Sequence, residues 1–344
     1  MGHFHLVRQS RSLFRTFIAC AMLMATWAIL GIAHAQQRAE VVLNHLTTGA
    51  GLGEYEWSLA TDRMLAKNSS WLRQRAQPTQ GYIFNLRTAI DSKDQWNTLV
   101  FNMDPVSPWL AEKGQPPFPN GMAGLELRAL TNATWPIWLL FTKTPNVKSV
   151  QDLPGRRVAL GPKAGTATLM MEETLKAAGV FDKVKLQYLS FSDITDGLLN
   201  DTIDVGMGNF WYNPADDKIG PTQGTINLQA SGKPFHYVLI DKATLMKTRD
   251  VRGVPYRILD LPNKTLPFQT VPMAVYANAD YVAVSRDFPE EQAYEYTRLF
   301  IKHLPDVMAT GGIASVFTPK FLPYGLTNLH PGAARAYREA GLIK

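Results

Sequence analysis

Apolar and polar positions in this chain alternate between two periods. Short apolar or β-branched runs, among them Val41–Leu46, 98–103, 125–131, Pro136–Thr142, Arg157–Leu160, 186–191 and 203–207, are separated by longer stretches whose apolar residues recur at helical spacing. The first pattern predicts strands and the second helices, so the chain is expected to be an α/β protein. A helix is expected over 55–65, a second over 167–178 stopped at Gly179, and an amphipathic one over 289–303. The polar stretch Asn132-Ala133-Thr134-Trp135 reads as a break between two strands, and Ser192-Asp193 as the cap of a short helix. Pro255, Pro262, Pro267 and Pro272 are expected to mark a return crossing between lobes. The sequence has no internal repeat and no low-complexity tract.

The first 35 residues follow a different pattern. Arg8, Arg11 and Arg15 occur without any acid in residues 1–16, residues 17–33 are almost wholly apolar, and Ala33-His34-Ala35 places small residues about a cleavage point. This order predicts a secretory signal peptide cut after Ala35 and a periplasmic product. The apolar run is a little shorter than the roughly 20 residues of a spanning helix, which favours cleavage over an N-terminal anchor. Cys20 lies too early in the run for lipoprotein processing, and no twin-arginine pair is present.

Composition changes this picture in two places. The 344 residues are 46% hydrophobic and 19% charged, which suffices for a sizeable core and two domains. The 35 Lys and Arg against 29 Asp and Glu give +6, and taken alone this excess points to a polyanionic partner. Removing the leader takes three arginines and no acid, which halves the excess to +3, and nucleic acid is no longer implied. The single cysteine, Cys20, leaves with the leader, so the mature chain has no thiol chemistry.

Catalytic and metal sets are thin. After the leader only His45, His236, His303 and His330 remain, none spaced as H-x-H or H-E-x-x-H, and no G-x-S-x-G elbow occurs. His330, before Pro331-Gly332, reads as a structural histidine at a turn. Asp193, Asp196, Asp201 and Asp204 lack the glycine and closing glutamate of an EF-hand and read as caps on a solvated face. No enzymatic activity, metal or cofactor is expected.

Binding chemistry is easier to place. Three loops stand where a strand gives way to a helix, a position at which backbone N–H groups and the helix dipole favour an anion. In the first, Gly49 and Gly51 open a dinucleotide-like G-x-G, but Glu54 replaces the third glycine and would face a pyrophosphate; Thr48 and Tyr55 add polar groups. The second is Pro78-Thr79-Gln80-Gly81-Tyr82, ahead of Asn85. The third, 161–166, is too short for a P-loop, and the N–H groups of Gly165 and Thr166 suit a small carboxylate. Each loop alone is equally a turn that needs glycine. Seven tryptophans lie beyond the leader; Trp57, Trp135 and Trp211 fall near these loops or a lobe boundary, and Trp138 reads as core. Asn209-Phe210-Trp211-Tyr212-Asn213-Pro214 interleaves amides with aromatics where an α/β strand would end at a cleft, which makes Asn209 and Phe210 candidate contacts.

The succession TTGAGLGEY, PTQGYIFN, LRAL, SVQDLPGRRVALGPKAGT, YLSFSD, IDVGMGN, VPMAVY and LHPGAARAYREAGL, over nearly the whole mature chain, resembles the TAXI family of TRAP-transporter solute-binding proteins. The most specific pieces are 152–161 and 330–341. The resemblance implies a type II periplasmic-binding-protein fold: lobe I from 36–135 plus 270–344, lobe II from 136–269, and a ligand cleft between them. It implies capture of a small organic anion, dicarboxylate or glutamate-like, for delivery to an integral-membrane TRAP permease driven by an ion gradient. By the same resemblance Thr48, Gly49, Tyr55, Thr79, Asn85, Asp104, Gly165, Thr166 and Tyr276 fall on the family's site motifs. Tyr82 stands where the motif has a serine, and 271–276 lacks the motif's glycine, departures that imply a smaller or more aromatic cleft. The rival readings are a receptor for an ABC importer or a membrane sensor kinase, and an exported enzyme on the same fold, which would need a reactive histidine or cysteine in the cleft.

Overall fold

The structure, a computed structural model, describes residues 38–50, 52–163 and 165–344. The expected leader and Gly51 lie outside the described residues. The elements run β1 (Val41–Leu46), α1 (Gly53–Asn68), β2 (Leu72–Gln77), α2 (Tyr82–Asp91), β3 (Leu99–Met103), α3 (Val106–Glu112), β4 (Leu127–Thr134), β5 (Pro136–Thr142), β6 (Arg157–Leu160), α4 (Thr166–Ala177), β7 (Lys185–Tyr188), α5 (Phe191–Leu199) and β8 (Val205–Asn213). They continue with β9 (Lys218–Pro221), α6 (Gln223–Ala230), β10 (His236–Val238), α7 (Lys242–Met246), β11 (Arg257–Leu261), β12 (Met273–Ala277), β13 (Asp280–Ser285), α8 (Glu290–Lys302), α9 (Leu304–Met308) and α10 (Pro331–Glu339). Among the described residues no helix is long and apolar enough to cross a membrane.

Two sheets with the same internal plan organise Val41–Lys344. The first has the order β2-β1-β3-β13-β4, the second β11-β12-β5-β8-β6-β7, with β10 on β5 and β9 on β8. In each, three parallel strands (β2-β1-β3 and β7-β6-β8) meet an antiparallel strand that is the first the chain enters on crossing from the other sheet: β13 in one, β5 in the other. This is a two-lobed α/β architecture.

The crossings lie at Trp135, between β4 and β5, and at 278–279, between β12 and β13. Residues from 270 were expected to open the second part of lobe I, yet β12 pairs with β5 and β11 in the second sheet. The prolines around 255–272 flank this edge pair of strands rather than a crossing.

Side chains alternate across each strand, so each sheet carries two apolar faces. In the first sheet Leu43, Val100, Leu130, Val282 and Val284 pack beneath α1, α8 and α10 with Trp57, Phe300 and Tyr337, while Phe101, Met103 and Ala283 join the opposite core. That opposite core also takes Trp138, Leu140, Met207, Met170 and Tyr276 of the second sheet and its helices, so one apolar cluster is shared by both sheets. Gly332 opens α10 against α8: a Cβ there would lie 2.1 Å from the Glu290 carbonyl oxygen. His330 caps α10 through Nδ1, which accepts from the Gly332 N–H at 3.2 Å, while Nε2 donates to the Phe288 carbonyl at 2.8 Å.

Three expectations change. Asn132-Ala133-Thr134 is no break but the end of β4; buried Asn132 donates to the carbonyls of Phe321 (2.7 Å) and Tyr324 (2.9 Å) and accepts from Trp135 Nε1 (3.1 Å). The stretch 209–213 lies inside β8 rather than after a strand, because β8 runs on to pair with both β5 and β9. The run 186–191 splits: β7 ends at Tyr188 and Ser190, not Ser192-Asp193, caps α5 by accepting from the Asp193 N–H at 3.1 Å.

Candidate functional site

The carboxyl ends of β1, β2 and β3 lie on one edge of the first sheet, and the start of β13 joins them because Tyr281 pairs with Met103. In the second sheet Asn209, Trp138 and Tyr276 are cross-strand partners and face the same side, close to the second crossing. Such edges are where α/β sheets place ligands, since loops there are free of the ladder and helices begin with unpaired N–H groups.

A hydrogen-bonded chain runs between these edges. His45 Nε2 pairs with Asn102 Oδ1 at 2.9 Å, and Asn102 Nδ2 donates to Glu54 Oε2 at 3.4 Å. The Tyr82 hydroxyl lies 2.7 Å from Glu54 Oε1 and 3.0 Å from Asp280 Oδ2. Asn278 donates through Nδ2 to Asp280 Oδ1, and its own Oδ1 accepts from Trp138 Nε1 at 2.7 Å. Trp138 in turn stacks on Phe191, with ring centroids 5.5 Å apart. Asn278 lies in the second crossing itself and the other members come from different elements, so the chain links both sheets through that crossing.

Its electrostatics are unusual. Glu54, Asp104 and Asp280 are buried, with exposures of 4%, 0% and 1%. Burial pushes the Glu54 carboxyl up to about 7, opposed by its hydrogen bonds to Tyr82 and Asn102 and assisted by the charge of Asp104. Burial, then the charges of Glu54 and Asp104, raise Asp280 well above the ordinary carboxylate range. Burial also raises Asp104, whose Oδ1 accepts from the Ser107 N–H at 3.0 Å. Among the described residues no lysine or arginine forms an ion pair with any of the three. His45 contributes no charge at neutral pH, because its burial lowers it to about 4. No group of three or more His, Cys, Asp or Glu among the described residues is placed to hold a metal ion.

Several buried polar atoms here have no hydrogen-bond partner: Thr48 Oγ1, Asp104 Oδ2, Ser107 Oγ, Thr168 Oγ1, Asn209 Nδ2 and Tyr276 Oη. Such atoms are few in folded proteins and each calls for an explanation. Here they come from both sheets.

Comparison with known proteins follows the same lines. The NMT1-like family model matches residues 72–341. The chain belongs to the NMT1-like family. Among curated proteins none matches the sequence. Several solved structures are similar in outline at low identity. One titled as a periplasmic transporter is 13% identical, with 89% of this chain and 98% of that chain covered at a TM-score of 0.49. MatC from Rhodopseudomonas palustris, solved with bound malate, is 12% identical over 88% and 97% of the two chains at 0.48. A TctC solute-binding protein from Polaromonas is 12% identical over 89% and 97% at 0.47.

Within this NMT1-like chain the expected site residues divide into groups. Thr48, Tyr82, Asp104 and Thr166 come together: the Thr48 side chain adjoins Glu54, and that of Thr166, at the start of α4, approaches Asp104. Asn209 and Tyr276 lie on the shared face of the second sheet, with Tyr276 stacked on Tyr256 at 4.7 Å. Tyr55 and Gly49 are half-buried around the first loop. Gly81 takes φ = 103° as the residue before α2, a backbone that glycine tolerates and other residues do not.

Other expected contacts are structural. Asn85 donates to the carbonyls of Leu46, Thr47 and Asn102 at 3.3, 2.9 and 3.0 Å and accepts from Thr79 at 2.7 Å, so its amide ties three loops together and has nothing left to offer a ligand. Thr79 also touches the Thr47 carbonyl at 2.6 Å and accepts from the Gly81 N–H at 3.1 Å. Phe210 points to the other face of β8 from Asn209, fully buried against Ile137, Leu139 and Phe141. The Gly165 N–H donates to the Pro162 carbonyl at 2.8 Å and is spent in a turn. The place expected for a ligand carboxylate, at the start of α4, instead faces the chain's own Asp104. Glu54 and Asp280 were not expected as site residues; Glu54 in the third glycine position and an acid opening β13 were the available signals.

Proposed function

We propose that this chain is an extracytoplasmic receptor that captures one small solute between its two sheets and passes it to a membrane transporter. The observation that carries this reading is the set of unpartnered buried polar atoms contributed by both sheets at their facing edges. A solute satisfying Thr48, Asp104, Asn209 and Tyr276 together would bind best when both edges are near it, and it would therefore favour the closed arrangement. The segment order supports a TRAP-type permease as the transporter, and the leader read in residues 1–35 supports export. The working cycle is then binding, closure and release, with no bond made or broken.

A thermal-unfolding screen of the mature protein against small acids, amines and sugars tests this. One class should raise the melting temperature, because a ligand that binds only the folded chain at 100 times its Kd adds about 2.7 kcal/mol. Stabilisation by no compound of any class would overturn the reading, and so would conversion of a stabilising compound during prolonged incubation.

A further inference from the structure

We infer that the solute taken by this cleft carries a cationic nitrogen, seated against Glu54, Asp104 and Asp280. This rests on the receptor reading above and names the ligand class. The three carboxyls come from α1, the turn before α3 and the start of β13, so the fold itself has gathered them. One Tyr82 proton is shared between Glu54 and Asp280, and it can serve only one acceptor at a time. The other carboxylate lacks that donor, and Asp104 Oδ2 has no hydrogen bond of good geometry, although the Ser107 and Thr166 hydroxyls approach its carboxyl. Buried carboxylates in this position must take up protons, as burial drives Glu54 and Asp280 to do, or meet a cation, which would displace those protons and restore the charges that hold it. Among the described residues the protein supplies no such cation.

A second feature is independent of the acids. Thr48 Oγ1, on a side chain only 8% exposed, adjoins Glu54 without a good hydrogen bond, and the Tyr276 hydroxyl is unpartnered on the other sheet; both can accept from a cationic N–H, whereas the unpartnered Asn209 Nδ2 can only donate and would meet an acceptor elsewhere on the solute. Neutral donors and acceptors around a multiply acidic centre suit an ammonium or amidinium group, whose N–H bonds radiate toward several acceptors. A dicarboxylate would bring further negative charge to the same place. The aromatic neighbours, Tyr82 and Trp138 stacked on Phe191, are compatible with a cation as well.

Calorimetric titration of the mature protein settles the point with defined probes: putrescine, agmatine, L-ornithine and L-arginine as nitrogen cations, succinate, malate and glutarate as acids, and glucose and ribose as neutral solutes. Binding by one or more nitrogen cations and by none of the nitrogen-free acids is expected. In Asp104→Asn and Glu54→Gln variants, each shown folded by circular dichroism, affinity for the bound cation should fall at least tenfold. Should Glu54→Gln fail to fold, Asp104→Asn alone carries the comparison. Binding of a nitrogen-free acid or sugar without any cation would overturn the inference and leave the receptor reading standing. Unchanged cation affinity in the folded variants would likewise overturn it. Binding by no probe would count against both.

Discussion

Replacing Glu54 with glutamine isolates the electrostatic strain stored at the facing edges. The folded carboxyl holds its proton up to about pH 7, against 4.5 for an ordinary glutamate, with burial as the main cause. Because the folded form binds the proton more tightly than the unfolded chain, the contribution of Glu54 to stability is fully present below about pH 4.5 and is lost as the pH rises through about 7. The gap converts to on the order of 3 kcal/mol. With roughly 2 cal/mol/K of unfolding entropy per residue over a chain of this length, that is about 5 °C in melting temperature. Asp104, Asp280 and His45 remain in both proteins; the raised acids act in the same direction, and lowered His45 acts oppositely below about pH 6.5. Removing the Glu54 charge also relieves Asp280, which widens the difference between the two proteins in the same sense. Calorimetric melting at half-unit steps from pH 4.5 to 8 should show the wild type losing about 5 °C relative to Glu54→Gln across the window. Parallel curves for the two proteins would refute the assignment of a strained, buried carboxyl.

Further predictions address the surrounding scaffold. Asn85→Ala removes the amide that donates to three buried carbonyls, of which only Thr47's keeps Thr79 Oγ1, and should cost about 2–4 kcal/mol in denaturant unfolding, since buried polar groups lose partners. Phe210→Ala should cost about 3–5 kcal/mol as a core cavity, with solute affinity in the surviving folded fraction unchanged. Gly161→Ala places a Cβ 2.8 Å from both Phe191 Cζ and Thr168 Oγ1, so the Phe191 ring stacked on Trp138 must shift; a change in tryptophan fluorescence together with weaker solute binding is expected.

Much of the architecture was legible in the chain, and the exceptions have physical causes. β1 and β6 were readable because Val41–Leu46 and Arg157–Leu160 are β-rich runs bounded by turn residues. The segment LRQRAQ of β2 was not, because it is an edge strand paired only with β1 and buries little beyond Leu72 and Gln74. The end of β4 was hidden by Asn132, whose buried amide finds its partners some 190 residues away in Phe321 and Tyr324, beyond any local pattern. The candidate site divides in the same way. Loop positions such as Thr48 and Thr166 follow from strand-to-helix handovers, whereas the acid centre joins residues 54, 104 and 280, and only the folded topology brings them together. A helix N-terminus in sequence suggests an anion; once Asp104 is seen at α4, that local argument no longer decides the ligand's charge.

Native mass spectrometry of residues 36–344, mixed with whichever solute stabilises them most, tests the receptor function most directly. A receptor of this kind holds one solute per chain and returns it chemically unchanged when unfolded. A chain that retains no solute at any concentration, or that releases a product of different mass, would contradict that function.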